Sequence, residues 1–353
     1  MNNNRKWNEF RTGELFTIEN SSSYHKKNLN FEDKYIPYIT RTSFNNGMED
    51  LVGHDKNFLI NEKNAISLGA ENANFFYQAY DYLTGNKMYR ISFNKMNKGI
   101  GLFLVEIFKN SIKNTGYGYG LGLTGTRFKK RIIKLPVDIN DEPDWEFMET
   151  ETIRVLESKE KSLLEYIEIK IDKLEDILKG VPELNLENKD WVSFNLEDIF
   201  TIQRGKRLTK KNQKEGYIPY ISSTGINNGV NNFISNNKNV RSFENVSTIA
   251  NSGTVGSTFY HDYKFVASDH VTALINDNFN KYHYLFINTL LKVMGKKYHF
   301  NREMNDFRLS REKIMLPIDE NNNLDLYFME NYMKKIELEK LKKIREYLLI
   351  NLK

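Results

Sequence analysis

Three stretches of this 353-residue chain have spacings that elsewhere do chemistry. Gly120-Leu-Gly122-Leu-Thr-Gly125 is a formal G-x-G-x-x-G, the turn that brings backbone N–H groups against a pyrophosphate. Such a turn must follow a strand and open a helix. This one follows a helical segment and leads into RFKKRIIKLP, so it is read as a loop. Pro143-Asp144 with Glu168-Ile-Lys170 spells PD…E-x-K, a carboxylate and lysine set that gathers Mg²⁺ on a strand-based core. Here Glu168 and Lys170 fall inside a long charged helical pattern, where such pairs are common. Asp269-His270 has the form of a proton relay, but the first of the chain's two repeated halves has no Asp-His pair at the matching place, and ordinary structural hydrogen bonding is the better account. No two of the six prolines are adjacent, so the (D/N/S)-P-P-(Y/F) loop of an amino-methyltransferase is missing. His25, His54, His261, His270, His283 and His299 form no H-E-x-x-H or other metal spacing. With no cysteine, disulfides, thiol catalysis and Cys-ligated zinc are excluded, and a reducing cytoplasm is the expected setting. The chain is expected to be non-catalytic.

The remaining functional residue types are amides, hydroxyls and cations in polar loops. From Arg204 to Lys214, RGKRLTKKNQK carries six basic residues and no acid, and RFKKRIIK from Arg127 is a second basic run. Basic runs are often only solvated faces. They suit a polyanion when amide-rich loops accompany them.

Those loops occur twice. YIPYITRTSFNNGM, from Tyr35, returns as YIPYISSTGINNGV from Tyr217. Trp7-Asn-Glu-Phe10 followed by Leu-Phe-Thr-Ile18 returns as Trp191-Val-Ser-Phe194 followed by Ile-Phe-Thr-Ile202. RFKKRIIKLPVD returns as RLSREKIMLPID, and Asp144 with Phe147-Met148 as Asp325 with Phe328-Met329. A period this long, against the 20–50 residues of solenoids, means that a whole folded unit was duplicated.

Within each copy, apolar and β-branched runs broken by Asn, Gly and Ser predict strands, as in EKNAISLG and STIANSGTVGSTFYHDYKFVA. One helix is predicted in each, near Gly101–Lys113 and Tyr282–Val293. A long charged helix then follows: the first from Pro143-Asp144 to about Lys179, the second from about Leu324. Their stripes are Ile153, Leu156, Leu163, Ile167, Ile171, Leu174 and Leu178, and Phe328, Tyr332, Ile336, Leu341, Ile344 and Leu348. Each stripe wants a partner helix, and pairing the two antiparallel would give a pseudo-twofold chain. The expected organisation is α+β, with mixed α/β domains at residues 1–143 and 188–322 and helices at 144–180 and 323–353. The most apolar stretch, Gly99 to Phe108, is well short of a membrane span.

Two like domains separated by helices suit an extended target with two parts, such as duplex DNA. Amides pair with adenine and Arg or Lys with guanine, while hydroxyls and lysines hold phosphates. The candidates in copy one are Lys26, Lys27, Arg41, Thr42, Asn45, Asn72 and Asn74, with Tyr117 and Tyr119 in the later loop. In copy two they are Lys206, Arg207, Lys210, Lys211, Ser223, Thr224, Asn227, Ser252, Thr254 and Ser257, with Tyr298, His299 and Arg302. NNG reads equally as a turn with positive φ. The frame phrases match between copies whereas the loops diverge (TRTSF against SSTGI, YGYGLGLTG against YHFNREMND), as expected of two readers of different sequences.

The phrases W-x-x-F-x-x-x-x-(L/I)-F-T-I, YIPYI…NNG, IANSGTVGSTFY, LP-(V/I)-D and D-x-x-FM, in this order over essentially the whole chain, resemble the specificity subunits of Type I restriction–modification systems. They are especially similar to the S-type subunits of Type IIB, BcgI-like systems. Copy one departs where LGAENANFFY stands for IANSGTVGSTFY and where the RGKR stretch is missing. The resemblance implies a non-catalytic protein whose two target-recognition domains each read half of a bipartite asymmetric DNA site. It implies helices that set the unread spacer and dock a DNA adenine methyltransferase carrying S-adenosylmethionine. Mg²⁺-dependent cleavage would lie in that partner or in a joined nuclease subunit. A self-sufficient nuclease or methyltransferase and a non-DNA scaffold are the competing readings.

Overall fold

The computed structural model describes residues 5–118, 120–298 and 304–351. The chain divides into two compact units, Met1–Ser162 and Leu163–Lys353. The first contains β1 (Trp7–Arg11), α1 (Thr12–Leu15), β2 (Thr17–Asn20), β3 (Ile36–Ile39), β4 (Met48–Val52), β5 (Ala65–Gly69), β6 (Asn74–Gln78), β7 (Leu83–Thr84), β8 (Met88–Ser92), α2 (Lys98–Ser111), α3 (Gly125–Lys129) and β9 (Ile132–Pro136). The long α4 (Trp145–Leu178) begins in it. The second contains β10 (Trp191–Asn195), α5 (Leu196–Ile199), β11 (Thr201–Arg204), β12 (Glu215–Ile221), β13 (Val230–Ile234), β14 (Ser242–Phe243), β15 (Val246–Ala250), β16 (Thr258–His261), β17 (Phe265–Ala267), β18 (Val271–Ile275), α6 (Lys281–Met294), α7 (Asp306–Ser310), β19 (Lys313–Pro317) and the long α8 (Leu326–Asn351).

The sheet topology is also duplicated. The sheets are β1-β9, β2-β8-β5-β6 and β4-β3-β7 in copy one, against β10-β19, β11-β18-β15-β16 and β13-β12-β17-β14 in copy two. The repeated sequence phrases are the joints of this frame. Trp7 pairs with Pro136 across β1 and β9 and stacks on Phe103 of α2 at 6.2 Å; Trp191 pairs with Pro317 and stacks on Phe286 of α6 at 6.2 Å. In LP-(V/I)-D, the carboxylates of Asp138 and Asp319 accept from the N–H groups of Asn140 and Glu142 and of Asn321 and Asn323, folding the turn before each long helix. Asp144 and Asp325 then cap those helices, accepting from the N–H of Phe147 at 2.9 Å and Phe328 at 2.8 Å. The methionines that follow, Met148 and Met329, are fully buried. Pro37 and Pro219 lie in interior strands, each immediately before the tyrosine at which the register shifts, next to the kind of bulge where a strand proline is tolerated.

The cores fill on the α2 and α6 faces. Phe75, Phe108 and Phe128 meet in copy one, and Tyr284, Leu291 and Met329 in copy two. In the second unit the later part of α4 packs on α8: Leu164, Ile167 and Ile171 share a cluster with Leu338, Leu341 and Leu348, and Lys342 reaches Glu175 at 2.6 Å. Early residues of this α4 segment meet Leu348 while the later Glu175 meets Lys342, so the helices run in opposite directions. The apolar stripes differ from expectation at their edges. Ile344 falls on the flank of the face made by Leu338, Leu341 and Leu348 and is 45% exposed, and Ile153 and Leu163 are exposed on α4.

Candidate nucleic-acid interface

In copy two, the chain leaving β11 is pinned before it becomes basic. Gly205 donates to the Val271 carbonyl at 2.9 Å, and Lys206 donates to that of Ala267 at 3.0 Å. A Cβ on Gly205 would stand 2.1 Å from the Ser268 carbonyl oxygen, so only glycine passes here. The Arg204 guanidinium is turned inward onto the Asp269 carbonyl at 2.6 Å. Lys206, Arg207, Lys210 and Lys211 are exposed beyond this point, the last two on a single 3₁₀ turn. Tyr220 holds the loop by donating to the Leu208 carbonyl at 3.1 Å. Among the described residues, no carboxylate lies within ion-pair distance of these four cations.

Two further loops converge beside it. Thr254 donates to the Ser223 carbonyl through both its N–H, at 3.2 Å, and its hydroxyl, at 2.9 Å. Ser252 meets Nδ1 of His270 at 2.6 Å. Asn227 and Asn228 take positive φ (50° and 52°) before Gly229, so this NNG is a turn as well as an exposed amide pair.

Copy one brings Lys26, Arg41, Thr42 and Asn72 to one cleft of about 480 Å³, with Glu49 and Glu71 on its walls. Its cations are paired. Lys26 lies 3.2 Å from Glu49 and 3.4 Å from Asp50, and the hydrogen bond to Glu49 raises its pKa. Arg41 and Lys87 both contact Glu71. The Asn72 amide donates to the Arg41 carbonyl at 2.7 Å, and that of Asn74 donates to the same carbonyl and to Ser43 Oγ at 2.8 Å. Asn45 has positive φ and donates to the Met48 carbonyl. Lys27 is exposed.

Other candidates lie elsewhere. Tyr298 is 7% exposed in the copy-two core with its hydroxyl on Glu312, so it is a packing residue and not part of this surface. Tyr117 packs against the copy-one core. Ser257 and Thr224 flank the Thr254–Ser223 contact. Tyr119, His299 and Arg302 lie outside the described residues. Glu49, Asp50 and Glu71 were not among the residues the sequence pointed to, whereas His270, read there as a structural hydrogen-bonding residue, bonds to Ser252. Aligning Glu71 with Ser252 in the repeat was the available signal for the acid.

Asp144 and Gly125, from two of the spacings considered in the sequence, serve local structure. Asp144 is the helix cap and pairs with Arg5, and Glu168 and Lys170 lie on α4. Gly125 opens only the five-residue α3, where a Cβ would meet the Tyr89 ring at 2.6 Å. Among the described residues no three carboxylate or imidazole groups are placed to hold a metal ion, and no helix is long and apolar enough to cross a membrane.

The model of the Type I restriction modification DNA specificity domain matches the chain twice, over residues 4–168 and 188–347. The chain therefore belongs to this family and carries two of its domains. It is 32% identical over 346 residues to the specificity subunit of the Type II restriction enzyme BcgI from Heyndrickxia coagulans, covering 96% of each chain. Among solved structures it is similar to the S subunit of a Type I restriction–modification system from M. genitalium (17% identity, 100% and 95% of the two chains, TM-score 0.44). It is also similar to the HsdS subunit from Thermoanaerobacter tengcongensis (13% identity, 98% and 92%, TM-score 0.33).

Proposed function

We propose that this specificity subunit recognises duplex DNA for a restriction–modification complex, each copy reading one half of a bipartite, asymmetric site. The observation that carries this reading is one frame built twice with different polar loops at the same edge, one of them an acid-free basic loop. Cations there would contact phosphates and fix register, while amide, hydroxyl and guanidinium groups at β3–β4, β5–β6 and their copy-two equivalents would read bases. The paired segments of α4 and α8 would set the unread spacer and dock a DNA adenine methyltransferase. S-adenosylmethionine, and Mg²⁺ where cleavage occurs, would be held by that partner, which flips the target adenine. This chain would supply recognition without catalysis.

The test is a base-resolution map of methyladenine in cells carrying this chain and its methyltransferase, against cells lacking only this chain. A two-part motif with a fixed gap that appears only with the chain is expected. No motif in either sample, with a methyltransferase shown to be active, would overturn the reading.

A further inference from the structure

The strand registers put three side-chain positions of one copy in one-to-one correspondence with three of the other. Ile39 pairs with Thr84 as Ile221 pairs with Ala267, so residues 41 and 223 are equivalent. Gly69 pairs with Met88 as Ala250 pairs with Val271, which makes residue 71 equivalent to 252 and 87 to 270. At these positions copy one has Arg41, Glu71 and Lys87, and copy two has Ser223, Ser252 and His270. In both copies the partners from the facing loop and turn are joined: Glu71 to Lys87 by an ion pair, Ser252 to His270 by a 2.6 Å hydrogen bond. In both copies, too, the backbone of the first position is clamped through its carbonyl. Two donors converge on the oxygen of Arg41, from Asn72 and Asn74, and two on that of Ser223, both from Thr254. The clamps use different residues for the same end, and only the presented side chains change.

We infer that positions 41, 71 and 87 in one copy and 223, 252 and 270 in the other are the equivalent specificity-determining triplets of the two domains, with Arg41 reading a guanine. This rests on the recognition reading above and names the residues that carry it. A guanidinium with a clamped backbone and a carboxylate on one edge has its rotamer set, leaving its other N–H groups for the O6 and N7 of guanine. Arg41 is 35% exposed at the cleft and Glu71 31%, so the pair is accessible. Glu71 is a positioning residue. Asn72 and Asn74 hold the loop through their amide N–H groups.

The experiment is the methyladenine map, repeated with the full chain and its methyltransferase for Arg41→Ala, Arg41→Lys, Glu71→Gln and His270→Ala. Arg41→Ala is expected to lower the preference for guanine at one position of the first half-site roughly tenfold, with the second half-site unchanged. Lysine at this position lacks the planar fork and should not restore it. Glu71→Gln should relax the same position, an effect that a purely structural role would not confine to one base. His270→Ala should change the second half-site alone. An unaltered motif with Arg41→Ala, or an even loss of methylation at unchanged preference, would overturn the inference while leaving the recognition reading intact. A wild-type chain that yields no two-part motif would overturn both.

Discussion

The two copies share a frame and differ in how they treat charge. In copy one Lys26 sits between Glu49 and Asp50, and Arg41 and Lys87 share Glu71. In copy two Lys206, Arg207, Lys210 and Lys211 project from a loop without an acid partner among the described residues. Unpaired cations release counterions from DNA and give salt-dependent grip at any sequence, whereas paired ones are already balanced and serve geometry. Duplication thus keeps the frame and lets the loops diverge: on the proposed reading both copies would read bases, with copy two adding a sequence-independent grip from its basic loop and copy one holding its arginine against a carboxylate.

The largest expected effect breaks or sharpens that contrast directly. Replacing Lys206, Arg207, Lys210 and Lys211 together by alanine should reduce the slope of log affinity against log salt by roughly three to four, about 0.9 per lost phosphate contact. Lys26→Ala should leave the slope almost unchanged, because its charge is already compensated. Equal effects in a salt titration of DNA binding by the complex would abolish the distinction.

A second contrast lies in the sheets. His261 is fully buried with Nε2 2.8 Å from Thr248 Oγ1; the equivalent pair in copy one is Gln78 with Ser67, at 3.0 Å. Burial pushes the imidazole down to about 4. Its folded pKa is therefore below the unfolded value, so its stabilisation is complete above about pH 6.5 and is lost as pH falls toward 4. Copy two should lose roughly 3 kcal/mol over that window and copy one should not. Hydrogen exchange at β15–β16 against β5–β6 measures it; His261→Gln should remove most of the difference, and His283, whose pKa burial also lowers, contributes to the rest.

Smaller effects follow from single positions. Gly205→Ser should cost about 1–3 kcal/mol by overpacking against Ser268. The equivalent Ser21 has room, and its hydroxyl is buried without a partner among the described residues, so Ser21→Ala should be neutral or slightly stabilising in a denaturant titration. Asp144→Ala and Asp325→Ala should each cost about 1 kcal/mol through the lost cap, with similar shifts in the two units.

The parts that sequence revealed were the repeated and the local ones: the recurrence of Trp7 as Trp191 and of Asp144 as Asp325, whose stacking and capping roles only the structure shows, and the Asn-Gly turns at 46–47 and 228–229. The long helices were readable for the same reason, their ends falling at Asp144 and Asp325 and, for the first, before Gly180. What could not be read depends on pairing across the sheets. Glu71 and Lys87 are adjacent only because β5 pairs with β8, and Glu49 reaches Lys26 only because β4 returns beside β3. Tyr298 looked like a loop aromatic because no local pattern marks the core contact that buries it.

The central claim is that each copy is a self-contained reader. Its most direct test is a chain in which residues 188–322 are replaced by a second copy of residues 1–143, expressed with the methyltransferase and mapped for methyladenine. The account predicts that the first half-site appears at both positions of the motif and the second disappears. Persistence of the original asymmetric motif, or loss of all sequence preference while the methyltransferase remains bound, would contradict it.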